Sequence, residues 1–244
     1  MAKPSILLTR HYPPAVMERA ARDYACVTRA EDGGLTGAAL CRLAAGVEGI
    51  LCAAGDPMDG ATIAALPDSV RVLATFSVGT DHIDLEAARR RGIVVTNTPD
   101  VLSVATAEIA MLLVLMCARR AGEAERMVRA REWVGWSPTQ LLGVTLEGKR
   151  LGILGMGRIG QALARMARGF GMEIHYRNRG RLAPEQEEGA VFHATDEAFL
   201  GTVDVLSMHI PGGAATRNWL DAGRIAQLRK GAIVVNTGRG STVD

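Results

Sequence analysis

The sequence lacks the marks of a membrane-spanning or secreted protein. Its longest apolar run, residues 109–118, is about half of the ~20 residues that a membrane-spanning helix needs. We expect this run to form a helix that is buried on all sides, inside the protein or against a second subunit. The first residues also lack an apolar stretch long enough for a signal peptide, which predicts a cytoplasmic location.

Metal-binding cysteine patterns and runs of like charge are missing too. The four cysteines, Cys26, Cys41, Cys52 and Cys117, fall at no metal-ligand or CxxC spacing, so we expect buried free thiols and no metal. The 28 basic residues nearly balance the 26 acidic ones. Without a basic run the sequence gives no sign of a nucleic-acid or membrane-surface partner, and we expect a small-molecule partner.

What the sequence does contain is the pattern of two α/β units. At 244 residues, 48% of them hydrophobic, it can bury two cores. Short β-branched segments alternate with helical ones, as in a parallel sheet covered on both faces. Residues 97–100, Asn-Thr-Pro-Asp, interrupt this alternation, and it restarts after a long helix from about Ser103. The fold prediction is α/β, with two doubly wound parallel-sheet domains at residues 1–99 and 100–244.

The predicted elements can be read directly from these patterns. Strands are expected at residues 5–9, 49–53, 70–76 and 93–98, with a weaker one from Ala25, and then at residues 150–154, 172–176, 190–194, 203–210 and 232–237. Helices are expected to begin near Pro14, Asp59, Leu85, Ser103, Arg158 and Asp221. Trp133 and Trp136 lie in a polar segment and are expected to anchor a loop.

A GxGxxG sequence, with glycines Gly155, Gly157 and Gly160, follows the apolar strand at residues 150–154. In a dinucleotide site the first glycine permits a tight turn, the second lets the backbone approach the pyrophosphate, and the third lets helix and strand pack closely. The phosphates then meet the helix N-terminus. A glycine turn without a ligand is the alternative. The following residues place Ile159, Ala162, Leu163, Met166, Ala167 and Phe170 on one helical face.

A basic sequence stands where an NAD site has an acidic residue, about 20 residues further on. Residues 176–181 read Tyr-Arg-Asn-Arg-Gly-Arg. Arg177, Asn178 and Arg179 suit the 2′-phosphate of NADP, because charge-assisted hydrogen bonds to phosphate are strong. The sequence therefore predicts NADP(H), with NAD(H) as the alternative. Arginines of an ordinary solvated loop are the other interpretation.

Four motifs together resemble the D-isomer-specific 2-hydroxyacid dehydrogenase family: residues 77–85, 97–115, 151–160 and 234–244. Within that family, residues 175–179 are most similar to the NADP-using glyoxylate and hydroxypyruvate reductases. The resemblance implies a flavodoxin-like substrate domain, a Rossmann-like NAD(P)-binding domain and a homodimer. The implied reaction is hydride transfer from NADPH to the carbonyl of a small 2-oxo acid, which gives a D-2-hydroxy acid.

The resemblance also implies roles for individual residues. The backbone of Val78 and Gly79 would bind the substrate carboxylate, and Arg239 would hold that carboxylate and polarise the carbonyl as a catalytic residue. The implied cofactor site comprises Thr106 near the phosphates and nicotinamide, Gly155, Gly157, Arg158, Ile159 and Gly160 at the pyrophosphate, Arg177, Asn178 and Arg179 at the 2′-phosphate, and His209, Pro211, Thr216, Thr237 and Gly238 as lining.

The family's proton donor, a histidine held by a glutamate, lies downstream of the motif that contains Arg239. The sequence stops five residues after that arginine, so we expect an incomplete second domain and little or no reductase activity. In the family, the position of His209 lines the cofactor site and does not donate the proton. Two other functions stay open: a dinucleotide sensor of the co-repressor type, and an oxidising relative of the formate or phosphite dehydrogenase type.

Overall fold

The structure is a computed structural model, and it describes residues 2–29 and 32–244. The chain divides into two compact units, the first ending at Val101 and the second running from Leu102 to Asp244. Among the described residues, each unit contains one sheet of five strands, and every pairing of neighbouring strands is parallel. The predicted α/β fold with two parallel sheets is confirmed. The assignment of one unit to the substrate and the other to the cofactor stays a prediction.

The first unit has the strand order β2-β1-β3-β4-β5. Its short helices begin where a side chain caps the first turn, because Thr36, Asp59 and Asp84 each accept a hydrogen bond from a backbone N–H three residues on. The strands are β1 Ser5–Leu8, β2 Ala25–Thr28, β3 Gly49–Cys52, β4 Val72–Thr75 and β5 Val94–Thr96. The helices are α1 Pro14–Asp23, α2 Gly37–Leu43, α3 Gly60–Ala65 and α4 Leu85–Arg90.

The second unit has the strand order β10-β9-β6-β7-β8. The chain builds outward from β6 through β7 to β8, and then crosses to the other side of β6 for β9 and β10. The strands are β6 Arg150–Leu154, β7 Glu173–Arg177, β8 Val191–Phe192, β9 Val205–Met208 and β10 Ile233–Asn236. The helices are α5 Ser103–Ala118, α6 Ala121–Arg129, α7 Arg158–Arg168, α8 Pro184–Glu187, α9 Asp196–Leu200 and α10 Ala222–Ile225.

All ten predicted strands are present, but most are shorter than predicted. The segment predicted at residues 70–76, for example, forms a strand only over Val72–Thr75, because Phe76 already begins the loop that leaves the sheet. Helix α2 was not predicted, since its sequence Gly-Ala-Ala-Leu-Cys-Arg-Leu is too short to show a helical period. Helix α6 was missed as well.

The expectation that α5 is buried on all sides is wrong within this chain. Its inner side contacts α7 and β10, and Ala107, Ala110 and Val114 on that side are fully buried. The side chains of Ile109 and Leu112 are 51% and 48% exposed. No helix in the described part of the chain is long and apolar enough to cross a membrane. The cytoplasmic location stays a prediction.

Three smaller expectations are also corrected. The cysteines are free thiols, but only Cys52 is buried, and Cys117 is exposed at the outer side of α5. Phe170 is 44% exposed because α7 ends before it, at Arg168. Trp136 is 82% exposed, so it does not anchor its loop within this chain.

Candidate functional site

The crossing of the chain from β8 to β9 creates a reversal of strand order between β6 and β9. In open α/β sheets, ligands bind outside the carboxyl ends of the strands at such a reversal. Gly155 directly follows β6, and His209 directly follows β9. A Cβ atom at Gly155 would lie 2.9 Å from the carbonyl carbon of His209. The two strand ends therefore meet, and the glycine turn lies at the reversal.

Each of the three glycines of the turn is explained by a different physical reason. Gly155 has φ +93°, which disfavours other residues. A Cβ atom at Gly160 would lie 2.7 Å from the carbonyl oxygen of Gly155, so this glycine lets α7 pack closely on the turn. A Cβ atom at Gly157 would meet nothing within 4 Å. No atom of the described residues requires a glycine there, so the space beside the N-terminus of α7 is open to a ligand.

Helix α7 begins at this turn and is firmly held against the sheet. Ala162, Leu163, Ala164 and Ala167 of α7 are buried. Gly157 is its N-cap residue and offers no capping side chain, and the first N–H groups of a helix have no acceptor within the helix. The predicted pyrophosphate residues Arg158 and Ile159 form the first two helical positions. The helix N-terminus can therefore accept an anion.

The basic sequence after β7 divides into arginines with partners and one without. Arg177 Nε lies 2.8 Å from Asp196 Oδ1 and its Nη1 donates to the Asn178 carbonyl oxygen. Arg181 binds Glu187 through Nε at 2.8 Å and Nη2 at 3.0 Å, and lowers the pKa of that carboxyl group. Arg179 is exposed, and its side chain makes no hydrogen bond or ion pair with any described residue.

Asn178 connects the basic sequence to the glycine turn. Its Oδ1 accepts a hydrogen bond of 2.7 Å from the N–H of Met156, which fixes the amide group and leaves its Nδ2 donor directed elsewhere. Asn178 and Arg179 therefore lie beside the turn as donors.

Arg224 is a residue near this site that sequence reasoning missed. Its guanidinium contacts Asp196 at 3.3 Å and stacks on Trp219. Arg224 and Asp196 are 28 residues apart in sequence, so no local pattern indicates their contact.

The residues after β9 and β10 complete this edge of the second sheet. His209 Nε2 lies 2.9 Å from Ser207 Oγ, and its Nδ1 lies 3.4 Å from Thr237 Oγ1. Burial lowers the pKa of His209 to about 4, so the imidazole is neutral at physiological pH. A neutral imidazole ring with a hydrogen-bond partner at each nitrogen suits a lining residue better than a proton donor.

The predicted cofactor residues gather at this edge, with one exception. Thr216 Oγ1 donates to the carbonyl oxygen of Pro211 at 2.6 Å, and the Gly238 N–H donates to Asn236 Oδ1 at 2.9 Å. Thr106 lies in the first turn of α5, and its side chain makes no hydrogen bond to any of these residues in the described part of the chain. The gathered set is Gly155, Gly157, Arg158, Ile159, Gly160, Arg177, Asn178, Arg179, His209, Pro211, Thr216, Thr237 and Gly238.

The predicted substrate residues Val78 and Gly79 lie in the first unit, in the loop after β4. The carbonyl oxygen of Val78 accepts from Asn97 Nδ2 at 2.8 Å, and that of Gly79 accepts from Ser77 Oγ at 2.7 Å. The N–H groups of Val78 and Gly79 make no hydrogen bond to any part of the chain that the structure describes. Two adjacent donors of this kind can bind one carboxylate. Arg239 follows β10 in the second unit, and its carbonyl oxygen accepts from Asn236 Nδ2 at 3.0 Å.

Metal binding has no comparable support. Over residues 2–29 and 32–244, no group of three or more histidine, cysteine, aspartate and glutamate side chains could hold a metal ion. His175 Nδ1 and His193 Nε2 bind each other at 2.9 Å.

Comparisons with known proteins agree with this geometry. Residues 111–244 match the family model described as D-isomer specific 2-hydroxyacid dehydrogenase, NAD binding domain. The chain is 42% identical to a glycerate dehydrogenase of Hyphomicrobium methylovorum over 100% of its own length and 76% of that protein. It is 37% identical to a glyoxylate reductase of Thermococcus litoralis over 99% of its own length and 74% of that protein.

A solved structure from Sinorhizobium meliloti is similar throughout the chain. It is an NADPH-dependent glyoxylate/hydroxypyruvate reductase in complex with NADP and malonate, with a TM-score of 0.86 and 33% identity over 100% of this chain and 73% of that one. The family match and these similarities show that the chain belongs to the D-isomer specific 2-hydroxyacid dehydrogenase family.

Proposed function

We propose that this protein uses NADPH to reduce a small 2-oxo acid of the glyoxylate or hydroxypyruvate type to a D-2-hydroxy acid. The observation that carries the proposal is the glycine turn at the reversal of strand order, where Gly157 leaves open space beside the N-terminus of α7. Relatives named glyoxylate reductase and glycerate dehydrogenase support the substrate class.

The residues at the turn fit a dinucleotide with a 2′-phosphate. The pyrophosphate would bind the first N–H groups of α7, at Arg158 and Ile159. The 2′-phosphate would bind Asn178 and Arg179. Among the three arginines of residues 176–181, Arg179 is the one whose charge no described residue neutralises. Arg177 is held by Asp196 and would contribute its remaining donors. NADPH, when bound, supplies the hydride.

The carboxylate of the 2-oxo acid would bind the Val78 and Gly79 N–H groups. From the family resemblance, Arg239 would hold a substrate carboxylate and polarise the carbonyl group, since a guanidinium is permanently charged and binds a carboxylate through two parallel hydrogen bonds. His209 would line the nicotinamide site as a neutral imidazole. Oxygen-rich anions without an apolar tail, such as glyoxylate and hydroxypyruvate, suit backbone N–H donors and a guanidinium.

We further propose that these 244 residues bind NADPH but reduce the substrate only slowly. Reduction of a carbonyl group needs a proton donor with a pKa near the working pH. Burial lowers the pKa values of His175, His193 and His209, and His11 is bound to Asp32. We therefore assign the proton to none of these four histidines, and the fifth, His82, lies with its Nε2 atom 3.1 Å from Thr75 Oγ1 in the first unit.

The test is an assay of NADPH oxidation with glyoxylate and with hydroxypyruvate, with identification of the configuration of the glycerate formed from hydroxypyruvate. We expect D-glycerate from hydroxypyruvate at a rate far below the ~10 s⁻¹ of a median enzyme. Oxidation of a hydroxy acid or of formate with no measurable reduction would contradict the proposed reaction. Turnover at the median rate would contradict the weak activity alone.

We also propose a homodimer that covers the outer face of α5, defined as Ile109, Leu112 and Met116. These residues follow each other at helical spacing and are 51%, 48% and 37% exposed. Apolar faces of this kind in soluble proteins commonly mark an interface. Light scattering on the native chain should give twice the monomer mass, and Leu112→Glu should give the monomer. At roughly 50 µM, about fifty times a micromolar Kd, a dimer of that affinity would be mostly assembled. A native chain that is monomeric at this concentration would contradict the proposal.

A further inference from the structure

The loop that carries Val78 and Gly79 is fixed from the carbonyl side. Three consecutive carbonyl oxygens are occupied: that of Ser77 accepts from the Thr98 N–H at 3.0 Å, that of Val78 from Asn97 Nδ2, and that of Gly79 from Ser77 Oγ. A peptide group is planar, so fixing a carbonyl oxygen also fixes the N–H group of the next residue. The carbonyls of Ser77 and Val78 therefore orient the N–H groups of Val78 and Gly79, and the Ser77 hydroxyl, by fixing the Gly79 carbonyl, holds the peptide group that follows Gly79.

A line of hydroxyl and imidazole groups stands behind Ser77. Thr75 Oγ1 lies 2.7 Å from Ser77 Oγ and 3.1 Å from His82 Nε2. Thr75 is at the end of β4 and is 2% exposed. The side chain of Ser77 is thus attached to the rigid sheet through a buried threonine.

Counting protons fixes the direction of this line. Ser77 has one hydroxyl proton, and the Gly79 carbonyl can only accept, so that proton points to Gly79. Thr75 must then donate its own proton to Ser77 Oγ, which leaves its oxygen to accept from His82. The Nε2 atom of His82 must carry the hydrogen. Each group in the line has one role when all three contacts are hydrogen bonds.

We propose that Asn97, which fixes the Gly79 N–H through the Val78 carbonyl, and Ser77, whose hydroxyl fixes the peptide group after Gly79, are positioning residues. They hold the loop that offers the Val78 and Gly79 N–H groups to the substrate carboxylate, and His82 orients Ser77 through Thr75. The inference rests on the proposed function, because it concerns how that carboxylate is bound. His82 acts here as a fixed Nε2 donor within the first unit and not as a proton donor to substrate.

The first experiment measures binding of oxalate, an anion of the size of glyoxylate, to the full chain saturated with NADPH. In Ser77→Ala and Asn97→Ala we expect the Kd for oxalate to rise about five- to tenfold, which is the effect of one neutral hydrogen bond in the upper part of its range. The Kd for NADPH should stay within about twofold, since neither residue lies in the second unit.

Two further variants separate positioning from damage to the fold. Ser77→Thr keeps the hydroxyl group and should restore oxalate binding to within about twofold of the native chain. Ser69→Ala removes a hydroxyl of the same unit that has no hydrogen-bond partner among the described residues, and should change nothing. Native oxalate binding in both folded alanine variants would overturn the inference.

A second measurement requires no ligand and separates this inference from the proposed function. In the free chain, the nitrogen chemical shifts of His82 should report the Nε2–H tautomer, and Ser77→Ala should shift the amide signals of Val78 and Gly79. If the native chain binds no oxalate while these signals behave as expected, the proposed substrate site is wrong and the loop geometry stands. A hydrogen on Nδ1 of His82 would overturn the donor line whatever the chain binds.

Discussion

Gly157→Ala should remove dinucleotide binding and leave the fold intact. The backbone of Gly157 is extended, with φ −85° and ψ −156°, at the border of the β region open to alanine, and the added Cβ meets no atom of the described residues within 4 Å. Replacing glycine by alanine at an N-cap costs less than about 1 kcal/mol. The same methyl group fills the space in which the backbone would approach a pyrophosphate. We expect the Kd for NADPH to rise at least about 100-fold, or ~2.7 kcal/mol.

Gly160→Ala is the matched comparison, because its cost should fall on the fold. There the added Cβ would lie 2.7 Å from the Gly155 carbonyl oxygen and 2.9 Å from Ile153 Cγ2. Overpacking of this kind costs about 1–3 kcal/mol. Urea unfolding and NADPH titration of both variants check the pair. A Gly157→Ala protein that binds NADPH like the native chain would refute the reasoning.

Three further predictions follow from single side chains. Arg179→Ala should weaken NADPH about tenfold in titration and leave NADH unchanged, whereas Arg89→Ala, an equal loss of charge in the first unit, should affect neither. Burial lowers the pKa of His209 to about 4 from an unfolded value near 6.5. The folded state therefore binds fewer protons, and stability falls as pH decreases from about 6.5 to 4. In His209→Asn, the urea midpoint of unfolding should depend less steeply on pH over this range. Asp56 is fully buried and binds Arg10 at 2.7 Å, so Asp56→Ala should cost about 3 kcal/mol in thermal or urea unfolding of the first unit without changing NADPH affinity; an unchanged midpoint would contradict this.

The sequence predicted the sheets well because strand formation leaves a local pattern. Segments such as Arg150–Leu154 are short, apolar and followed by glycine, and these features are visible without the structure. The turn at Gly155 and the close packing at Gly160 were also readable, since both follow from backbone geometry, while the role of Gly157 stays a prediction. Their assignment to a nucleotide stays a prediction.

Contacts between distant residues could not be read from the sequence. The three arginines of residues 176–181 look alike in sequence, yet Asp196 and Glu187 bind two of them and leave Arg179. Which arginine is neutralised depends on the positions of Glu187 at the end of α8 and Asp196 at the start of α9. Likewise, the occupied carbonyl oxygens around Val78 depend on Asn97, which belongs to the loop after a neighbouring strand.

The most direct test of the account is a calorimetric titration of the native chain with NADPH and, separately, with NADH. The account predicts that both bind at one site per chain and that NADPH binds at least about tenfold more tightly, or ~1.4 kcal/mol, because Arg179 and Asn178 meet the 2′-phosphate. Equal affinity would contradict the assignment of the basic sequence. Failure of both to bind a folded chain would contradict the site itself.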